Sequence, residues 1–391
     1  MTDRVQPKPL PPHHLPPLKQ VGRPLRRVDA LGKAVGATVY AADFSMPNML
    51  HAKVFRSPIP SGRIVRLDVS KARALPGVAC VLTGADLPNA KLATDMPGQT
   101  GRSARKGSDA PVLAIDVVRF HGEPIALVAA ESLEIAEAAL QLIDFKYEAL
   151  PGVFCPEEAL KPEAPSVSGA EGDSAGVVSD HNVVAGGRDA AASANSALGE
   201  NVELARPAVV SEQDVVAGGH AVAPSANSGG DAAAELADRN VVARWRIRKG
   251  DVEKGMAQAD VIVENTFYVP FVEHAYLEPE AGVAWVDEQG VITIRVCTQV
   301  VEHFRTVAKA LGVPQNRVRV IGTMVGGGFG GKEDVTVEIF LALLARATGR
   351  PVKLVYTREE SFLATSKRHP FKITHKTGVK RTGRITAAEI T

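Results

Sequence analysis

Cysteine is scarce. The 391 residues hold three, Cys80, Cys155 and Cys297, with no CxxC pair among them. That excludes a disulfide framework, a four-cysteine zinc site and an iron–sulfur cluster held by this chain alone. It points to a reducing, cytoplasmic setting. Neither sign of charge is in excess: 45 Lys and Arg face 44 Asp and Glu. The balance excludes an overall basic nucleic-acid footprint and an acidic, solvating chain, so no nucleic-acid partner is expected. No apolar run approaches the roughly 18 residues that span a bilayer, so no membrane partner is expected either. The opening stretch, MTDRVQPKPLPPHHLPP, lacks the apolar core of a secretory signal. Aromatic residues make up only 5%, whereas glycine (35) and proline (26) are plentiful, so much of the chain forms turns and connections.

The length predicts two or three domains. Residues 1–20 carry six prolines and read as an extended, disordered arm. Residues 21–160 alternate short strands and helices. Strands are predicted over 50–55, 64–69, 79–82, 112–120 and 124–130. A helical turn is predicted over 70–75 and an amphipathic helix over 133–143, capped by Ser132. Residues 161–240 lose aromatics and contain a duplication at a spacing of 32: VVAGG at 183–187 recurs at 215–219, and SANS at 193–196 recurs at 225–228. Two copies are too few for a solenoid. The insert reads as a duplication in a tolerant surface loop or as a partner-docking arm.

Pattern returns over 241–391. A short helix is predicted within 250–259 and a strand over 261–268. A hairpin over 283–297 turns at Asp287-Glu288-Gln289-Gly290. A helix over 301–311 is stopped by Gly312, and a strand follows over 318–321. A helix over 333–348 is stopped by Gly349, with strands over 352–356, 371–377 and 385–390. The basic stretch 350–384 is a solvated face or a contact with an anionic or polypeptide partner.

Between the strand at 318–321 and the next helix lies Gly326-Gly327-Gly328-Phe329-Gly330-Gly331-Lys332-Glu333. It matches GxGxxG and GxxxxGK formally. A P-loop needs Ser or Thr after the lysine, where this chain has Glu333. A dinucleotide fold needs the motif in its first βα turn and an acidic residue about 20 positions on, and residues 343–357 contain none. A third reading is a backbone brought close to a ligand because no Cβ intervenes, with amides of the following helix facing an anion or oxo group. Phe329 would then stand as a wall and Glu333 in the first helical turn. A ligand-free turn is the bland alternative, though five glycines are an entropically costly way to build one.

These residues, taken with others, resemble a known family. His274-Ala275-Tyr276-Leu277-Glu278-Pro279, then Thr298-Gln299, then GGGFGGKE, then Arg350-Pro351-Val352-Lys353 and Tyr356-Thr357-Arg358-Glu359-Glu360 look like the molybdenum-binding subunit of the xanthine dehydrogenase/aldehyde oxidase family. Gly22 to Lys33, Ser57-Pro58, Pro76-Gly77-Val78 and Gly122-Glu123-Pro124 resemble its α/β-hammerhead domain. The resemblance implies an α+β fold: a disordered arm (1–20), a hammerhead domain (21–160), an unrelated insert (161–240) and the N-terminal portion of a molybdopterin-binding domain (241–391).

The resemblance also implies chemistry. A molybdenum–pyranopterin (molybdopterin) cofactor hydroxylates an electrophilic carbon with water-derived oxygen, and electrons leave through 2Fe-2S clusters to FAD on partner chains. Gln299 matches a glutamine whose amide donates to an oxygen on the metal. Gly327, Gly328, Phe329 and Gly330 match the backbone beside the cofactor, so Gln299 and Phe329 would lie next to the metal's own ligands. Glu333 matches a glutamate that meets the ring of purine substrates, and Phe329 would line the substrate with it. Gln299 and Glu333 are therefore the catalytic candidates.

The base glutamate and most pterin contacts of the family belong to motifs this sequence lacks. A complete enzyme would need that half, on a further chain if the subunit is naturally split or on the rest of a longer chain if this is a fragment of one, besides an iron–sulfur subunit and a FAD subunit. The expected substrate is an N-heterocycle, purine- or nicotinate-like, ahead of an aldehyde. The alternatives are a non-catalytic scaffold or assembly subunit, and an NTPase using Lys332.

Other residues carry two readings each. His274 is a proton carrier or a structural hydrogen-bonding group. Glu278 is a base or a buried, paired carboxylate. Cys297 reads as a core thiol, and Arg358-Glu359-Glu360 as a helix-opening charge cluster.

Overall fold

The computed structural model describes residues 24–87, 111–165, 180–184, 240–241 and 244–391. The arm at 1–20 and most of the 161–240 insert, including both SANS segments, lie outside the described residues. The strands are β1 (Leu50–Arg56), β2 (Gly62–Asp68), β3 (Val78–Thr83), β4 (Val117–Val118), β5 (Pro124–Ala130), β6 (Asp144–Ala149), β7 (Asp180–Val184), β8 (Arg244–Arg248), β9 (Val261–Val269), β10 (Ala281–Val286), β11 (Ile292–Val296), β12 (Val318–Gly322), β13 (Val352–Val355), β14 (Phe371–Val379) and β15 (Ile385–Ile390).

Seven of them form the central sheet, in the order β12–β11–β10–β13–β1–β5–β3. It is mixed: β1–β13 and β11–β12 are parallel and the other pairs antiparallel. Leu50 lies opposite Val352 and Ala52 opposite Leu354. The two units read from the sequence therefore share one sheet, within the α+β class expected. Three smaller sheets are β15–β14–β9, β4–β2–β6 and β7–β8.

Burial explains the order. β5 runs PIALVAA and is buried from Ile125 to Ala130. A strand apolar on both faces belongs in a sheet interior. The helix Glu338–Thr348 lies on the sheet, and its Leu341, Leu344 and Ala345 join Leu50, Ile294, Val296 and Leu354 in the main core. Each such leucine contributes about 1.5–3 kcal/mol of transfer free energy. The helix Leu133–Gln141 packs Ala136 and Ala139 on Val81, Val128 and Ala130 in a second core. Ser132 caps it, accepting the Ile135 N–H at 3.3 Å.

Several boundaries follow the expected local chemistry. Asp287 Oδ1 accepts from Gln289 and Val291 at the hairpin turn. Gly312 and Gly349, both at φ 65°, end their helices in the left-handed conformation. Thr357 and Glu360 form a reciprocal capping box on the helix Arg358–Ala364, and Glu360 also holds the buried Lys53 of β1 at 2.9 Å.

Two expectations need correction. The strand predicted over 112–120 shrinks to Val117–Val118, which pairs with β2. The buried carboxylate of Glu123 accepts the Arg119 N–H and bends the chain out of the ladder. The helix predicted from 333 starts at Glu338. His303 holds the Glu333 carbonyl and Glu338 Oε2 holds the Thr336 N–H, so 333–337 stays irregular. Half of the ten Lys and Arg in the basic stretch 350–384 form ion pairs within the chain: Arg350 with Glu131, Lys367 with Glu273, Lys372 with Glu157, Lys376 with Glu264 and Lys380 with Asp260. No helix among the described residues is long and apolar enough to cross a membrane.

Candidate cofactor and substrate site

β11 ends at Val296, and Cys297, Thr298 and Gln299 continue from it toward the glycine cluster. β12 ends at Gly322, and the cluster follows within a few residues. Because β11 and β12 are parallel neighbours, Gln299 and the glycines emerge at the same end of the sheet.

They meet closely. Gln299 Oε1 accepts the Gly330 N–H at 3.0 Å and the Lys332 N–H at 3.2 Å. Its backbone N–H donates to the Lys332 carbonyl at 3.0 Å. Two backbone donors on one oxygen fix which end of the amide is carbonyl. The side-chain NH₂ is left as a donor with no partner among the described residues, on an exposed side chain. A Cβ on Gly328 would collide with the Gln299 amide, and one on Gly331 would stand 2.6 Å from the Tyr276 ring.

Below the loop is a charged core. Lys332 is 1% exposed, and its Nζ lies 2.8 Å from Glu278 Oε2 and 4.8 Å from the Tyr276 ring centroid. Glu278 Oε2 also accepts the Gly326 N–H at 2.7 Å. The Tyr276 hydroxyl donates to buried Glu280, which also receives the Ser361 hydroxyl at 2.6 Å. So Glu278 is a paired carboxylate, and Lys332 points away from any phosphate that the loop could cradle. The NTPase reading falls with that placement.

The amides of Gly326, Gly330 and Lys332 are thus committed to Glu278 and Gln299. Those of Gly327, Gly328 and Phe329 make no hydrogen bond among the described residues. These three successive N–H donors, in a stretch with positive φ at Gly327 (102°), Phe329 (53°) and Gly330 (93°), are left for an oxygen or an anion. They do not lie at the start of the helix Glu338–Thr348, as the sequence had implied; the turn itself presents them. A phenylalanine at φ 53° is strained by about 1 kcal/mol or more. Its ring is 75% exposed.

Glu333 lies just past the loop with an exposed side chain that has no hydrogen bond or ion pair among the described residues. Its carbonyl is held by His303 Nε2 at 2.7 Å. His274 sits against Gly331 with a buried Nδ1 that lacks a partner, and Glu278 Oε1 is likewise buried and unpartnered. Cys297 is 1% exposed and accepts the Ala281 N–H at 3.2 Å; burial pushes its thiol up to about 11, so it is inert at neutral pH. His303 was not singled out from the sequence. No local pattern marks it, because its partners Glu333 and Glu338 lie 30 and 35 positions further along the chain. Among the described residues no group of three or more His, Cys, Asp or Glu side chains is placed to hold a metal ion directly.

Residues 234–391 match the model of the molybdopterin cofactor-binding domain, and residues 35–151 match the aldehyde oxidase and xanthine dehydrogenase a/b hammerhead domain. Over 371 residues the chain is 33% identical to the nicotinate dehydrogenase large molybdopterin subunit of Eubacterium barkeri, spanning 95% of this chain and 69% of that one. The chain belongs to the xanthine dehydrogenase/aldehyde oxidase family. It corresponds to part of the molybdenum-binding subunit of these molybdenum hydroxylases. It is also 31% identical over 362 residues to the xanthine dehydrogenase molybdenum-binding subunit of Escherichia coli O157:H7, spanning 92% of this chain and 39% of that one. The reconstituted CO dehydrogenase from Oligotropha carboxidovorans shares its fold, with a TM-score of 0.71 and 25% identity over 94% of this chain and 39% of that one. The chain thus spans about two thirds of the nicotinate dehydrogenase subunit and about two fifths of the xanthine dehydrogenase subunit and of the CO dehydrogenase chain.

Proposed function

We propose that the chain forms one wall of the molybdenum–pterin site of a hydroxylase acting on an N-heterocycle, purine- or nicotinate-like. The observation that carries this is the row of free amides at Gly327, Gly328 and Phe329 beside the free side-chain NH₂ of Gln299. Such neutral donors suit the oxygens of a bound molybdenum cofactor, and glycine at 328 and 331 lets the loop pack directly on Gln299 and on Tyr276, where a Cβ would collide. When bound, the cofactor supplies the redox step, oxidising a substrate carbon with oxygen from water.

The residues of this chain do the positioning. Gln299, fixed through its carbonyl, would donate its amide hydrogens to an oxygen of the cofactor. Donors that need no reorganisation stabilise charge as it develops. Phe329, exposed on its strained backbone, is a wall for a flat ring. Glu333 offers a free carboxyl group for a ring nitrogen or oxygen that gains charge in the transition state. We assign the base and most of the remaining pterin contacts to polypeptide matching the rest of the relatives' length, and electron transfer to iron–sulfur and FAD partner subunits.

Glu333→Ala in the assembled enzyme tests the substrate class. The expected loss is about 2–4 kcal/mol in kcat/KM for a purine or nicotinate, and much less for a simple aldehyde without a ring group. Equal losses for both would remove Glu333 from substrate recognition and overturn the heterocycle reading.

A further inference from the structure

His303 is fully buried, with 0% exposure, at the junction of three segments that build the site. Its Nε2 lies 2.7 Å from the Glu333 carbonyl, at the exit of the glycine loop. Its Nδ1 lies 2.8 Å from Glu338 Oε1, on the first residue of the helix beneath the sheet. The Thr298 hydroxyl, next to Gln299, sits 3.3 Å from Nδ1 and 3.3 Å from the Lys332 carbonyl.

A carbonyl only accepts, so Nε2 must carry a hydrogen. The other oxygen of Glu338 already accepts the Thr336 N–H at 2.8 Å, which favours an ionised carboxylate. Both ring nitrogens therefore face acceptors. One proton shared between Nδ1 and Oε1 satisfies both contacts. Without it, either neutral tautomer turns a lone pair on an acceptor and breaks one of the two.

We propose that His303 is a positioning residue: with its Glu338 partner and their shared proton, it clamps the exit of the glycine loop and so holds Gly330 and Lys332 against Gln299. The clamp is a property of the chain itself. Its bearing on catalysis rests on the cofactor reading above.

The charges around the ring agree. Burial pulls its pKa down, but the hydrogen bond and charge of Glu338, the Glu333 carbonyl and the charge of Asp334 together raise it above the ordinary histidine value. The nearest charges on its own segment, Glu302 and Arg305, are exposed and pair loosely with each other at 3.9 Å. A raised value means that the clamp is whole below the ordinary histidine range. One of its two contacts is lost as the pH rises through the raised one.

The test uses the full chain and needs no cofactor. The His303 ring is titrated by NMR while hydrogen exchange of the Gly330 and Lys332 amides is followed, corrected for intrinsic base catalysis. Protection of both amides is expected to fall roughly tenfold as the ring deprotonates, the loss of about one hydrogen bond in a local opening. In Glu338→Gln the new amide donates to a neutral Nδ1, so protection should stop following the ring. A flat protection profile across the wild-type ring titration overturns the proposal, as does an unchanged pH dependence in Glu338→Gln. If that variant does not fold, the wild-type titration decides alone. Neither outcome depends on substrate, so failure here is distinct from failure of the Glu333 test.

Discussion

Lys332 and Glu278 form a buried ion pair at 2.8 Å under the glycine loop, with the ammonium group over Tyr276. The same carboxylate oxygen takes the Gly326 N–H, so one glutamate fixes both ends of the cluster. The pair acts as a foundation for the loop rather than as a reacting group.

Removing one partner leaves the other charge stranded in the core. Lys332→Ala is expected to cost about 3–5 kcal/mol of folding stability. Denaturant unfolding of the full chain measures it. A loss under about 1 kcal/mol would mean that Glu278 finds solvent when its partner is gone.

Gly328→Ala places a methyl group against the Gln299 amide. Backbone and amide cannot both keep their places, so the bonds from Gly330 and Lys332 to Oε1 should weaken. The expected cost is about 1–3 kcal/mol. Accelerated hydrogen exchange at those two amides would locate it.

Gln299→Ala, in the assembled enzyme, should slow turnover by roughly 10²-fold while molybdenum stays bound, as for a lost donor to developing charge. Metal content and kcat measured on one preparation separate the two effects. Unchanged turnover would show that the Gln299 amide does not face the cofactor.

Alkaline pH should destabilise the fold through Cys297. Its thiol is pushed up to about 11 by burial, from an ordinary 9.0. Between those values the unfolded chain releases the proton while the folded chain keeps it. Stability therefore falls with rising pH in that window, by an amount approaching about 2 kcal/mol. Cys297→Ala should flatten the decline. An equal decline in the variant would assign it to other groups, such as buried Tyr356, raised to about 12 chiefly by burial.

Local patterns in the sequence were legible wherever short-range chemistry decides. The Ser132 cap, the Asp287–Gly290 turn and the glycine stops at 312 and 349 all stand where the residues place them. The glycine cluster and Gln299 were singled out, but not what holds them. Lys332–Glu278 joins residues 54 positions apart, and His303–Glu338 joins residues 35 apart. No periodicity encodes such pairs. β6, DFKYEA, was missed because charged residues interrupt it and much of it is exposed. The late start of the helix at Glu338 follows from one tertiary hydrogen bond, His303 to the Glu333 carbonyl, and one local bond, Thr336 to the Glu338 carboxylate, whereas propensity alone would begin it sooner. The shared sheet was illegible for the same reason: β1 reads as a strand, but nothing in it names β13.

That β1–β13 pairing has a consequence for synthesis. Leu50 leaves the ribosome roughly 300 residues before Val352, its partner. At about 5–20 residues per second, one edge of β1 waits some 15–60 s for its neighbour. β5 arrives early and covers the other edge. The waiting edge offers a ladder of unpaired amides and carbonyls beside the buried Leu50, Ala52 and Val54, the kind of surface that recruits the wrong chain. Correct assembly of this sheet is thus a race between translation and aggregation, and slower elongation between β5 and β13 should lower the yield of soluble protein.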